Sequence, residues 1–303
     1  MEKPKEAKRV KLKPGDAVIL QGDSRAVLLN FPDESIDLTF TSPPYPEFSP
    51  ELKVSPEEWA NWMLPFMKQL ERVTKNTGSV VVNVGDYPRL SKPKYPWIED
   101  FVLTTCKNTN LKLVHRLIWF KRFATGGANG RLPKISYEFC FWFAKDPKQV
   151  KANFWNAAIP ASDETIKKLK QTPDRIAKTG AKKHIEYDHR RVSHTIDKHG
   201  GKVLPYDIIE VGITGSKSPW RQKIRELKEK YGEDIGRYYV FPYKLPLFFV
   251  LCLTDPGDVV LDPFMGTGTT IIAAVKNDRI GIGIDVDPHA VSLAKIRVKE
   301  GLE

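Results

Sequence analysis

Short apolar runs of strand length recur along this chain at residues 17–20, 35–40, 79–84, 113–120, 137–144, 259–261 and 279–284. The stretches between most of them carry apolar residues at helical spacing. The runs SVVVNV (79–84) and VVL (259–261) are continuously apolar, as in strands of a parallel sheet covered on both faces. Ser55-Pro56-Glu57-Glu58 opens a helix, with Ser as N-cap, Pro at N1 and Glu58 at the capping-box position. That helix is predicted to reach about Thr74, to kink at Pro65 and to stop at Asn76-Thr77-Gly78. Further helices are predicted over 97–106, 242–253, after Thr270, and from Pro288 onward. Strands alternating with helices predict an α/β architecture.

The alternation breaks once. Between residues 151 and 237 apolar positions thin out, and the first strong strand pattern is 203–211. Residues 161–203 hold 11 Lys and Arg against 6 Asp and Glu, and four of the six histidines (184, 189, 194 and 199). This divides the chain into a first core part (1–150), an inserted charged region (151–237) and a second core part (238–303). The histidines recur every five residues, which does not place them on one helix face, and no metal site is expected.

Composition narrows the partners. The 303 residues carry a net charge of +11, which favours a polyanion such as nucleic acid. Cys106, Cys140 and Cys252 are far apart and odd in number, so a reducing cytoplasm is expected rather than a disulfide framework. The N-terminal stretch is basic with no apolar run behind it, unlike a secretory leader. The longest uncharged apolar stretch, 245–253, falls short of the ~20 residues that span a bilayer, and no membrane partner is expected.

Two segments carry chemistry. In VVLDPFMGTGTTIIAA (259–274) a buried strand enters a Gly-x-Gly loop and then a helix. Gly266 and Gly268 let backbone approach a ligand closely. Asp285 stands at the tip of the next strand, where an acid suits a ribose diol. The loop lacks the Lys of a phosphate-binding loop and the third small residue of a dinucleotide fingerprint. Asp262 at the strand tip would repel a pyrophosphate and suits a cofactor with a positive amine. The second segment is Thr41-Ser42-Pro43-Pro44-Tyr45, at the end of the 35–40 strand. There the Pro43 carbonyl and Ser42 Oγ can accept from an exocyclic amine and leave its lone pair nucleophilic. Tyr45 is placed to stack on the base.

At these two segments the sequence resembles the amino-type DNA methyltransferases that use S-adenosylmethionine. The TSPPY form is similar to the N4-cytosine group, and the box-first, glycine-loop-last order resembles the β arrangement of that family. The resemblance implies a circularly permuted, doubly wound, mostly parallel seven-stranded sheet, the Rossmann-like methyltransferase fold. It makes 151–237 a target-recognition region and implies a late antiparallel strand at Tyr137-Glu138 bordering the target-base pocket. Ser42, Pro43, Pro44 and Tyr45 match the catalytic box. Asp262, Phe264, Gly266 and Gly268 match the motif holding the methionine part of the cofactor. Thr269 and Thr270 match positions near its carboxylate, Asp285 the ribose acid, Asp23 the position by the adenine, and Phe241-Pro242 the segment packed on the methionine end. Arg131, Lys182, Lys183, Arg190 and Arg191 are candidate DNA contacts. The implied activity is methylation of N4 of a flipped cytosine in double-stranded DNA within a restriction-modification system. A cognate endonuclease is an implied partner, and a homodimer is an expectation because dimers occur in similar enzymes. Alternatives are an N6-adenine enzyme of the same fold, an RNA methyltransferase, or a DNA-binding module without activity.

Overall fold

A computed structural model describes residues 11–49, 52–86, 95–121, 133–164, 167, 198–212, 218–231 and 240–303. The chain forms two compact units, one of residues 1–152 with 207–303 and one of residues 153–206.

The larger unit is built on eight strands: β1 (Ala17–Gln21), β2 (Ile36–Thr41), β3 (Thr74–Val84), β4 (Lys112–Phe120), β5 (Tyr137–Ala144), β8 (Ile208–Glu210), β9 (Val259–Asp262) and β10 (Ile280–Asp285). Their order across the sheet is β1-β10-β9-β2-β3-β5-β4-β8. β5 alone runs antiparallel to its neighbours, β3 and β4; the remaining pairings are parallel. The antiparallel strand at Tyr137-Glu138 is therefore as expected. The sheet has one strand more than the seven expected, because β8 pairs with β4 at the edge (Trp119 with Ile209). The other short strands, β6 (Ile159–Pro160) and β7 (Lys202–Val203), pair with each other in the smaller unit, where the His199 and Trp155 rings stack at 3.6 Å.

Helices cover both faces of the main sheet. α1 (Ser24–Val27) follows β1, α2 (Pro56–Val73) joins β2 to β3, and α3 (Trp97–Asn108) joins β3 to β4. Glu58 accepts the Ser55 N–H at 3.3 Å, and α2 continues through Pro65 without a break. Its buried stripe of Trp59, Met63, Phe66, Met67 and Leu70 packs with Val80, Val82 and Val84 of β3 and Phe101 of α3. On the other side Phe40 of β2 stacks on Phe249 at 5.2 Å. Phe249 lies in α5 (Lys244–Leu253), which follows α4 (Pro219–Tyr231); α6 (Thr269–Val275) and α7 (Pro288–Glu300) flank β10.

Three differences from the sequence pattern have physical reasons. Asn76-Thr77-Gly78 is no helix stop, since β3 begins directly at Thr74. The register shifts so that Ile36 faces Thr74 and Leu38 faces Ser79, which makes the Gly78 region a bulge. A Cβ on Gly78 would lie 2.9 Å from the Asp37 carbonyl oxygen, so only glycine fits. The inserted segment is also narrower as a compact unit, 153–206 rather than 151–237. Residues 219–231 form a helix whose Trp220, Ile224 and Leu227 pack with Leu293 of α7, and that burial returns the chain to the larger unit. The predicted 203–211 strand is two short strands, β7 and β8, one in each unit.

Candidate active site

The carboxyl ends of β1, β10, β9 and β2 lie side by side, and each bears one of the singled-out segments. β2 pairs with β9 through Leu38–Val260 and Thr39–Leu261, so the TSPPY turn and the glycine loop leave adjacent parallel strands. In such sheets ligands gather at this edge.

Asp262 joins the two. Its carboxylate accepts from Thr41 Oγ1 at 2.7 Å, Thr270 Oγ1 at 2.7 Å and the Phe264 N–H at 3.1 Å. Asp262 is fully buried. Burial pushes its carboxyl up to about 6, against the pull of the Thr270 and Thr41 hydroxyls. Asp262, expected to face a positive amine, ties β2, β9 and α6 together. Thr270 is engaged in the same tie. The Thr269 hydroxyl accepts from Arg297 Nη1 at 2.7 Å, so both threonine side chains point inward.

Arg297 gives no sign of itself in the sequence, where a charged residue on the last helix reads as solvated. It is 1% exposed. It binds the Thr267 carbonyl at 3.4 Å, the Leu302 carbonyl at 2.8 Å and the Trp220 ring face at 4.9 Å. Burial holds its guanidinium down to about 9, with Arg221 adding to the fall. Its hydrogen bonds fix the glycine loop from beneath.

The loop itself is tight. Gly266 and Gly268 adopt positive φ (52° and 82°). A Cβ on Gly266 would meet nothing within 4 Å, so its outer side is open space. Asp285 accepts the Gly266 N–H at 2.8 Å and the Asp287 N–H at 2.9 Å, and burial raises its carboxyl. Asp23 caps α1 and pairs with Arg25, which lowers its carboxyl. It lies next to Asp285, because the Gly22 N–H donates to the Asp285 carbonyl at 2.9 Å. Ser24 Oγ donates to the Pro263 carbonyl and ties β1 to β9. Phe264 packs on Phe66 at 4.8 Å and Trp62 at 6.1 Å. Phe241 meets Phe40 edge-on at 5.5 Å, with Pro242 buried beside it.

The TSPPY turn is held from the other side. Trp59 Nε1 donates to the Pro44 carbonyl at 2.9 Å, and Pro43 is buried while Ser42 is partly open. Tyr45, expected to stack on a base, is 7% exposed with its ring 6.0 Å from that of Trp97. Its hydroxyl lies 2.8 Å from Ser42 Oγ, 3.0 Å from Glu138 Oε2 and 3.2 Å from the Asn83 carbonyl. Glu138 pairs in turn with Lys121. Arg131, Lys182, Lys183, Arg190 and Arg191 lie outside the described residues, as do the histidines at 184, 189 and 194. No helix among the described residues is long and apolar enough to cross a membrane.

Known proteins match this chain over most of its length. A family model described as DNA methylase, the N6/N4 methyltransferase family, matches residues 36–296. The type II methyltransferase M.PvuII of Proteus hauseri is 27% identical over 291 residues, covering 91% of this chain and 82% of that protein. The DNA adenine methyltransferase YhdJ of Escherichia coli is 25% identical over 285 residues, covering 92% and 82%. Among solved structures, the PvuII cytosine-N4-specific DNA methyltransferase superposes with a TM-score of 0.70 at 21% identity, covering 94% of this chain and 88% of that one. TTHA0409 of Thermus thermophilus, a DNA modification methylase by its description, was solved with S-adenosyl-L-methionine; it superposes at 0.58 with 23% identity, covering 95% and 94%. With the box and the glycine loop on neighbouring strand tips and a family match spanning most of its length, this chain belongs to the N6/N4 DNA methylase family.

Proposed function

We propose that the chain is a sequence-specific DNA methyltransferase that modifies N4 of a flipped cytosine, as the modification member of a restriction-modification pair. The observation that carries this reading is the Thr41–Asp262 hydrogen bond of 2.7 Å, which keeps the TSPPY turn and the glycine loop on one edge of the sheet.

The cofactor is S-adenosylmethionine, and the residues fit it. The open side of Gly266 admits a ligand against backbone. Asp285 and Asp23 stand on adjacent strand tips, suited to a ribose and an adenine. Phe264, Phe241 and Pro242 supply apolar walls. Asp262, Thr269 and Thr270 shape the loop through their buried side-chain oxygens, and Gly268 through its left-handed backbone. When bound, the cofactor supplies an electrophilic methyl group on a sulfonium.

The protein's part is positioning. Ser42 Oγ and the Pro43 carbonyl accept the two amine hydrogens and hold the nitrogen lone pair toward the methyl donor. Pro44 makes the turn rigid, and the Tyr45 hydroxyl fixes the Ser42 rotamer. The amine is out of reach in a duplex, so the base must flip. The basic 161–203 stretch, with Arg131, neutralises phosphates, and binding weakens steeply with salt. A cognate endonuclease and a homodimer complete the proposed setting.

A serine in the box favours cytosine; the resemblance to an adenine enzyme at 25% identity keeps N6 of adenine as the second reading. Nucleoside mass spectrometry of plasmid DNA treated with enzyme and cofactor decides. N4-methylcytosine is expected, and N6-methyladenine transfers the mechanism to the second reading.

A further inference from the structure

We propose that Ser42, Tyr45 and Glu138 form a proton relay that carries the displaced amine proton out of the site, with Lys121 holding its terminal carboxylate. This rests on the reading of Ser42 as the residue that faces the target amine.

The chain of contacts is continuous. Ser42 Oγ and the Tyr45 oxygen are 2.8 Å apart, and the Tyr45 hydroxyl donates to Glu138 Oε2 at 3.0 Å. Lys121 Nζ donates to the other oxygen, Glu138 Oε1. The side chains of Glu138 and Lys121 are 6% and 12% exposed, while Ser42 is the partly open end. The relay is built from three strand ends: the β2 turn, β5 and the residue after β4. Gly85, after β3, makes room for it, because a Cβ there would lie 2.6 Å from Glu138 Cγ and 2.7 Å from its carboxyl carbon. A buried carboxylate without a cation would be costly; Lys121 supplies the cation, and its ammonium also lies 4.8 Å from the centre of the Trp119 ring.

The chemistry balances along this path. The nitrogen gains the methyl group and the positive charge that the donor's sulfonium loses as its carbon–sulfur bond breaks. One N–H proton must then leave. It passes to Ser42 Oγ as the Ser42 proton passes to the Tyr45 oxygen and the Tyr45 proton to Glu138 Oε2. Serine and tyrosine end neutral and unchanged, and Glu138 ends as the neutral acid, which returns its proton to solvent after the product leaves. Among the described residues, Lys121 from the end of β4, the Tyr45 hydroxyl from the β2 turn, Gly85 after β3 and Cys140 two residues along β5 face Glu138. Cys140 is a buried thiol whose ionisation is pushed up by desolvation and by Glu138 itself, so it stays neutral and does not compete.

The test is single-turnover methylation as a function of pH, with Glu138→Gln, Tyr45→Phe and Lys121→Met compared to the wild type. Glu138→Gln is expected to lower the rate by about 100-fold or more, the scale of a lost general base, and to flatten the fall in rate at low pH. Cofactor affinity by calorimetry is expected to stay within about twofold, as for a group active only in the chemical step. Tyr45→Phe cuts the relay while leaving the Glu138–Lys121 pair in place, and a comparable loss is expected. Lys121→Met should move the low-pH limb upward, because a nearby cation favours the carboxylate. Infrared titration of the chain alone, without cofactor or DNA, should show a carboxyl band that is absent in Glu138→Gln and displaced upward in Lys121→Met. Asp262, whose carboxyl burial raises to about 6, remains in every variant. A low-pH limb unchanged in Glu138→Gln, with a rate within about threefold of wild type, assigns the limb to Asp262 and overturns the relay. A wild-type enzyme that methylates no exocyclic amine overturns the underlying reading instead.

Discussion

Two polar clusters sit at the carboxyl edge of the same sheet and solve the problem of buried charge in opposite ways. Under the glycine loop, Asp262 and Arg297 are buried, and among the described residues neither has an ion-pair partner in hydrogen-bonding contact. Hydroxyls, carbonyls and one N–H satisfy them. Both are pulled toward neutrality by burial, to about 6 and about 9. Beside the TSPPY turn, Glu138 has Lys121 as a direct counter-charge and passes hydrogen bonds outward through Tyr45 to Ser42. The first cluster is closed, and its hydrogen bonds end inside the protein. The second is open at Ser42, which is partly exposed. A closed cluster holds backbone in place; an open one can exchange a proton with whatever binds at its mouth.

Breaking each cluster should therefore change different observables. The largest effect is expected for Ser42→Ala: methyl transfer falls about 100- to 1,000-fold, the scale of losing one preorganised hydrogen-bonding group at a reacting centre. Cofactor binding measured by calorimetry survives, and a variant of wild-type activity would remove Ser42 from the mechanism. Next comes Asp262. Its carboxyl is raised in the folded chain, so the folded state holds that proton better than the unfolded one. Its stabilising contribution is complete below the unfolded value of 3.8 and is lost as pH rises through about 6. Wild type should lose on the order of 3 kcal/mol relative to Asp262→Asn between pH 4 and 7, read by denaturant unfolding of both proteins across that range; parallel stability curves would contradict the assignment. Arg297→Leu should cost about 1–3 kcal/mol, because the Thr267 and Thr269 oxygens lose a buried donor. It should weaken cofactor affinity while leaving the pH dependence of the chemical step as it was. The smallest effect is reserved for Gly85→Ala, whose added Cβ presses first on Glu138. Its methylation rate should fall about tenfold, consistent with a small displacement of a positioned group, with cofactor affinity unchanged.

The clusters also differ in how legible they are in the sequence. The glycine loop, Asp285 and the proline turn stand out because backbone geometry demands particular residues at fixed offsets from a strand. Adjacency of β2 and β9 follows from the fold that those motifs imply. The side-chain partnerships do not follow. That Thr41 and Thr270 both reach Asp262 depends on strand register across 221 residues of sequence, and that Arg297 is buried depends on α4 and α7 packing together. The helix at 219–231 had a signal in Trp220, Ile224 and Leu227 at helical spacing, masked by the charged residues around them. The bulge at Gly78 read as a helix stop because glycine serves both purposes. That the Tyr45 hydroxyl reaches Glu138 is likewise hidden, since the two lie 93 residues apart.

The most direct measurement is a structure of the chain bound to a non-transferring cofactor analogue and a duplex carrying its target site. The account predicts a cytosine swung out of the helix, its amino group hydrogen-bonded to Ser42 Oγ and the Pro43 carbonyl, and the sulfur of the analogue over the Gly266 turn, in line with the lone pair of the nitrogen. An analogue seated away from the glycine loop, or an amine turned from Ser42, would contradict it.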